Sequence, residues 1–189
     1  MTKNFKPGAW FLPQPVMIIG TYDEDGTPNA MNAAWGGQWD YNEIMISMGS
    51  HQTTANLNRL GEFTLAFATT ETMVAADYVG IVSGRQHHDK IKTAGWKSTK
   101  AGIVDAPLFD CFPMTMECRI KEKIQESETG FYLVAEILNI ICDERYLASD
   151  GKPDVAKMNL ITFDPIHNGY IALGERIGNA FHDGNALKK

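Results

Sequence analysis

Strand-like apolar runs outnumber helix-like segments in this chain, and the two do not alternate. Val16-Met17-Ile18-Ile19-Gly20-Thr21 is rich in β-branched residues and ends in the polar turn Asp23-Glu24-Asp25-Gly26. Its Asp25-Gly26 pair is a hairpin signal. The return strand is expected over residues 27–34, and a third over 43–48. Further candidates lie at 62–68, 113–125, 131–142, 160–163 and 169–173, giving about seven strands by their pattern and punctuation. Helix signals are few. Ser50-His51-Gln52-Thr53-Thr54 supplies helix-start residues, Ala55 to Leu60 continue them, and Gly61 stops them. Residues 71–79 read as a second helix with Thr70 as cap, and 89–94 as a helical turn. A doubly wound parallel sheet would need regular strand–helix alternation. The expected class is therefore mainly β: an antiparallel barrel with short helices inserted, in which the Lys-, Thr- and Gly-rich stretch before Pro107 lies outside the barrel.

A length of 189 residues suits one domain over 1–189 with a well-filled core. The small polar tail 176–189 is expected either to be mobile or to reach a partner subunit. The formal net charge is −6 and no dense Lys/Arg block occurs, which argues against nucleic acid and anionic lipid as partners. Cys111, Cys118 and Cys142 are odd in number and widely spaced, so they form neither a disulfide framework nor a zinc site and read as reduced, buried thiols. Pro13 and Pro15 interrupt the apolar Trp10-Phe11-Leu12, unlike a signal peptide. No run approaches the ~18 apolar residues of a membrane helix. A cytoplasmic protein is the expectation.

Three segments could carry chemistry. Ser50 to Asn56 sits between a strand and a helix, where free backbone N–H groups and a partial positive charge suit a phosphate. The hydroxyls of Ser50, Thr53 and Thr54 and the amide of Asn56 would add bonds; a plain helix cap is the other reading. Asn29-Ala30-Met31-Asn32-Ala33-Ala34-Trp35-Gly36-Gly37 offers small residues beside which a flat ligand could lie, with Asn32 as polar handle and Trp35 as aromatic wall. Gly36 and Gly37 would permit unusual dihedrals, and an edge strand ending in a glycine turn remains open. In Ser83-Gly84-Arg85-Gln86-His87-His88-Asp89-Lys90 the cations Arg85 and Lys90 could face an anionic ligand, or the stretch is a solvated loop. Adjacent histidines diverge on either a helix or a strand, so no metal is expected there. The chain has no G-x-G-x-x-G after a strand, no G-x-S-x-G and no G-x-x-x-x-G-K-[ST], so Rossmann, hydrolase and P-loop readings lack support.

Taken in order, Pro15 to Thr21, Asn29 to Trp35, Ser50 to Leu57, Ser83-Gly84-Arg85 and Asp89-Lys90 resemble the flavin-reductase-like family, most nearly its flavoredoxin branch, over about residues 10–175. The resemblance implies a split β-barrel homodimer with one FMN per subunit near the interface. It implies that Ser50, His51, Thr53, Thr54 and Asn56 grip the phosphate and that Asn29, Met31, Asn32 and Trp35 line the isoalloxazine. Lys90 would lie near the ring, where a cation stabilises reduced flavin. Ser83, Arg85 and Tyr170 are further contacts it implies.

No catalytic side chain is expected, because N5 of the flavin carries the chemistry. The implied function is an oxidoreductase in which FMN accepts a hydride from NAD(P)H and passes electrons to free flavin, iron or a protein. The alternative is a flavoredoxin-like electron carrier that trades electrons with redox proteins. Many flavin reductases carry Gly-Asp-His before the strand that here begins at Phe131; this chain has Glu128-Thr129-Gly130. That departure bears on direct nicotinamide use. A barrel without cofactor, and one holding FAD or a deazaflavin, are the remaining rivals.

Overall fold

The structure, a computed structural model, describes residues 1–188. The hairpin expected around Asp25-Gly26 is formed by β2 (Met17–Tyr22) and β3 (Pro28–Ala33), preceded by a short β1 (Gln14–Pro15). Gly26 takes a positive φ of 82° at the turn, a conformation glycine adopts without steric cost. Next come β4 (Gly36–Asp40), β5 (Glu43–Gly49), α1 (Gln52–Leu60) and β6 (Glu62–Phe67). Gly61 closes α1 in the left-handed conformation and donates its N–H to Leu57 O, as a C-terminal glycine should. Then follow α2 (Met73–Ile81), the one-turn α3 (Lys90–Thr93), and the small pair β7 (Ser98–Lys100) and β8 (Pro107–Phe109). Two long strands, β9 (Met114–Ser127) and β10 (Gly130–Cys142), precede β11 (Ile161–Asp164) and β12 (Gly169–Ala172).

Seven strands form one antiparallel sheet in the order β3-β2-β6-β9-β10-β5-β4. Its two edge strands, β3 and β4, are joined only by Ala34 and Trp35. With 3.8 Å between successive Cα atoms, Ala33 and Gly36 lie at most about 11 Å apart. The sheet must therefore curl until its edges meet. They do not pair, so the barrel is split at the β3–β4 seam.

Alternation along β2 explains why its run is apolar throughout. Met17 and Ile19 point into the barrel with Ile46, Leu57, Phe63, Leu65, Cys118 and Leu133. Val16 and Ile18 point outward, into a second core with Val79 of α2, Trp96, Phe109, Phe112 and Ile161. Both faces are covered, so the period-two polar signal of a half-exposed strand is absent.

Several expectations need correction. Gly36 and Gly37 do not form a turn; they open strand β4 and neither has a positive φ. What Gly36 provides is closeness, since a Cβ there would lie 2.6 Å from Met45 O and 2.9 Å from Met17 Cε. The strand total exceeds about seven, because β1, β4, β7 and β8 escape a reading based on apolar runs. Helix α2 is capped at Thr72, not Thr70. The cysteines are free, but only Cys118 is buried; Cys111 and Cys142 are half-buried. Burial pushes the thiols of Cys111 and Cys118 up to about 12, so neither is a thiolate at neutral pH. Described tail residues from Glu175 onward lie exposed, ending in a 3-10 turn at Asp183–Leu187. Among the described residues no helix is long and apolar enough to cross a membrane.

Candidate functional site

Helix α1 begins where β5 ends. His51 is its N-cap, in extended conformation, and donates its backbone N–H to Thr54 Oγ1 at 3.3 Å. The Thr54 hydroxyl in turn donates to Gly49 O. Thr53 and Asn56 are buried on the inner face of the helix. Thr53 Oγ1 accepts from Asn29 Nδ2 at 2.9 Å, and Asn56 Nδ2 donates to Thr21 Oγ1 at 3.0 Å and Asp23 Oδ1 at 2.7 Å. Gln52 Nε2 reaches Asn56 Oδ1 at 3.1 Å, and Gln52 Oε1 accepts from Arg85 Nε at 3.4 Å. The 83–90 loop is thus laid against the start of α1. No acidic residue stands in the first turn of α1, which leaves its partial positive charge uncompensated by the helix itself.

Lys90 is buried, 3% exposed, with Nζ 3.3 Å from Val82 O and 3.4 Å from Val79 O at the C-terminal end of α2. Burial pulls its ammonium down to about 8, and the charge of Asp23 opposes that. Asn29 Oδ1 is buried and, among the described residues, has no hydrogen-bond partner. It faces Gly84, where a Cβ would lie only 2.7 Å away.

Beside this polar network opens a cleft of about 350 Å³. One wall is the seam segment from Met31 to Trp35, and the opposite wall is α2, through Asp77, Gly80 and Ile81. Phe163 of β11 and Tyr170 of β12 close one side, and Ser47, Gly49 and His51 lead to the start of α1. Gly80 lets α2 approach the strand: a Cβ there would meet Asn32 Cβ at 2.9 Å. Asn32 Nδ2 donates to Ala76 O and to the Tyr170 hydroxyl, each at 3.3 Å, and Tyr170 donates to Asp77 Oδ1 at 2.8 Å. Burial, the bond to Asp77 and the charge of Asp77 push the Tyr170 phenol up to about 12, against a smaller opposing pull from Asn32. It is protonated at neutral pH. Trp35, 43% exposed, stands at the mouth.

Of the residues singled out in the sequence, Met31, Asn32, Trp35, His51 and Tyr170 line this cleft. Asn29, Thr53, Thr54, Asn56 and Lys90 lie buried beside it, their polar groups, Asn29 Oδ1 excepted, engaged with nearby side chains and backbone. Ser50, Ser83 and Arg85 are exposed and do not line it. Sequence reasoning missed Ser47, Asp77, Gly80 and Phe163. Asp77 carried a signal: it is the only charged residue in Met73-Val74-Ala75-Ala76-Asp77-Tyr78-Val79-Gly80-Ile81. No cluster of metal-ligating side chains occurs among the described residues, and His87 and His88 are exposed.

A split antiparallel barrel with a phosphate-compatible helix start beside an aromatic cleft defines a flavin-reductase-like protein. Residues 10–153 match the family described as flavin reductase like domain, and the chain belongs to that family. Within it the likeness is to flavoredoxins. The flavoredoxin of Desulfovibrio vulgaris (Miyazaki F) is 33% identical, with 97% of this chain and 100% of that one covered and a TM-score of 0.90. The flavoredoxin from Methanosarcina acetivorans is 26% identical, with 99% and 100% covered and a TM-score of 0.87. An FMN-binding protein from Thermus thermophilus shares the fold, at 15% identity, 95% and 97% coverage and a TM-score of 0.75. No protein with a curated description matches the chain.

Proposed function

We propose that this chain holds FMN in the cleft between the β3–β4 seam and α2 and works through it as an oxidoreductase. The observation that carries this reading is a pairing: a cleft with aromatic walls at Trp35, Phe163 and Tyr170 runs, by way of Gly49 and His51, to the start of a nine-residue helix without first-turn acid. The donor set fits the cofactor. Backbone N–H groups in the first turn of α1 lack intrahelical acceptors and suit a phosphate. Asn29 Oδ1, buried next to Gly84 and without a partner among the described residues, is the kind of atom a ligand donor or a shifted loop would satisfy. Membership of a flavin-reductase-like family and the FMN-binding relative support the same cofactor.

When bound, FMN supplies electron and hydride transfer, chemistry that no side chain here can perform. The protein binds, orients and shields. Trp35 and Tyr170 flank the space for a flat ring; Asn32 supplies the polar contact; Lys90 holds a cation behind the network, close enough to Asp23 to feel its charge. We take NAD(P)H as the electron source.

A second reading, an electron carrier served by redox proteins, is favoured by Glu128-Thr129-Gly130 in place of Gly-Asp-His and by the likeness to two flavoredoxins. Mixing the FMN-loaded protein anaerobically with NADH or NADPH separates the two. Rapid loss of flavin absorbance supports the reductase; bleaching by dithionite but not by either nicotinamide supports the carrier.

The working unit we propose is a homodimer. Phe11, Trp35, Trp39 and Tyr132 line a second groove that shares Trp35 and Ser47 with the cleft. All four rings are exposed in the single chain, an apolar surface suited to a second copy.

A further inference from the structure

The Asp77–Tyr170–Asn32 chain admits only one arrangement of its protons. Ala76 O can only accept, so the Asn32 group 3.3 Å from it is the NH₂. The phenol of Tyr170 gives its single proton to Asp77 Oδ1, 2.8 Å away, so toward Asn32 it can offer only a lone pair. Both Asn32 N–H bonds are then used, one by Ala76 O and one by the Tyr170 oxygen. Asn32 Oδ1 is left over. Among the described residues no donor reaches it and it is not sealed from solvent, while Asn32 itself lines the cleft.

Taking the cleft as the flavin site, as proposed above, we propose that Asp77 is a positioning residue: by taking the Tyr170 proton it fixes the Asn32 amide so that Oδ1 stands as the acceptor for an N–H of the bound isoalloxazine. Oxidised flavin has one ring N–H, at N3. Asp77 makes no hydrogen bond to Asn32 and acts on it through the direction of the Tyr170 hydroxyl. Without it the phenol is free to turn its proton toward Asn32, which competes with the hold of Ala76 O and favours the flipped amide, in which Oδ1 faces Tyr170 instead of the cleft.

The test compares FMN with 3-methyl-FMN, which lacks that N–H, in titrations of the flavin-free full-length protein. Wild type is expected to bind FMN roughly 10-fold more tightly than 3-methyl-FMN, the worth of one good hydrogen bond. Asp77→Ala lowers that ratio toward one by weakening FMN more than 3-methyl-FMN. Asp77→Asn, which keeps the shape and can donate to the phenol oxygen, moves the ratio the same way and serves if Asp77→Ala folds poorly. Equal losses for both flavins in the variants, or a wild type that does not distinguish them, overturn the proposal. If the wild type binds neither flavin, the FMN reading itself falls and this inference with it.

Discussion

Asn29 on β3 donates its side-chain amide to the Thr53 hydroxyl on α1 at 2.9 Å, and the bond is fully buried. It ties the strand that lines the cleft to the helix whose start adjoins it. Among the described residues the only other acceptor near Asn29 Nδ2 is Thr21 Oγ1, at 3.5 Å. Thr53→Val removes the acceptor, keeps the shape and leaves a buried donor poorly paired. A loss of about 1–3 kcal/mol follows from that desolvation. Urea unfolding of the flavin-free protein checks it, with Asn29→Ala and the double variant completing a cycle that isolates the pair.

Gly80 separates effects on the site from effects on the fold. A Cβ at this position lies 2.9 Å from Asn32 Cβ, a side chain at the cleft wall. Gly80→Ala gains helix propensity, worth up to about 1 kcal/mol, but must push Asn32 aside. FMN affinity is expected to drop by roughly 10-fold or more, by analogy with a displaced polar contact, with little change in melting temperature. Fluorescence quenching of FMN measures the first quantity and calorimetry the second.

The β-strands were legible where both faces of the barrel are buried, because continuous apolar runs such as Val16 to Ile19 have no other home in a chain this size. Strand β4 was not. Gln38, Trp39 and Asp40 are exposed, and its place in the sheet comes from backbone pairing with β5, which leaves no apolar pattern to read. At the site, the segments were legible but their division of labour was not. Asn29 and Asn32 are three apart on one strand, so period-two geometry sends them to opposite faces: Asn29 to Thr53, Asn32 to α2 and Tyr170. Asp77 and Phe163 come to the cleft from elements far apart in sequence, and only tertiary packing assembles them.

Glu117 shows a buried charge used for structure. Its Oε1 accepts from Ile103 N–H and its Oε2 from Asn139 Nδ2, both at 2.7 Å, anchoring the β7–β8 loop to the barrel. Burial alone would raise its pKa; the bonds from Asn139 and from the backbone of Ile103, Val104 and Gly102 outweigh that and lower it. A carboxyl lowered in the fold contributes stability that is whole above the unfolded value of about 4.3 and fades as pH falls through the folded value. Glu117→Gln is expected to cost about 1–3 kcal/mol at pH 7 and to flatten the loss of stability below about pH 4.3. Thermal melts of both proteins across that range check it.

Lys90 gives a dependence of the same sign in an alkaline window. Its ammonium is pulled down to about 8 by burial, against about 10.4 for a free lysine. The unfolded chain then binds more protons over that interval, so stability should rise as pH climbs from about 8 toward 10.4. Lys90→Met removes that rise, which denaturant titrations at several pH values will show.

A crystal structure of the protein grown with excess FMN tests where the flavin sits. The phosphate should lie at the first-turn N–H groups of α1, next to His51, with the ring in the cleft among Trp35, Asn32 and Tyr170. Solvent alone at that helix start, with the flavin lodged in another groove, would contradict the assignment of this cleft.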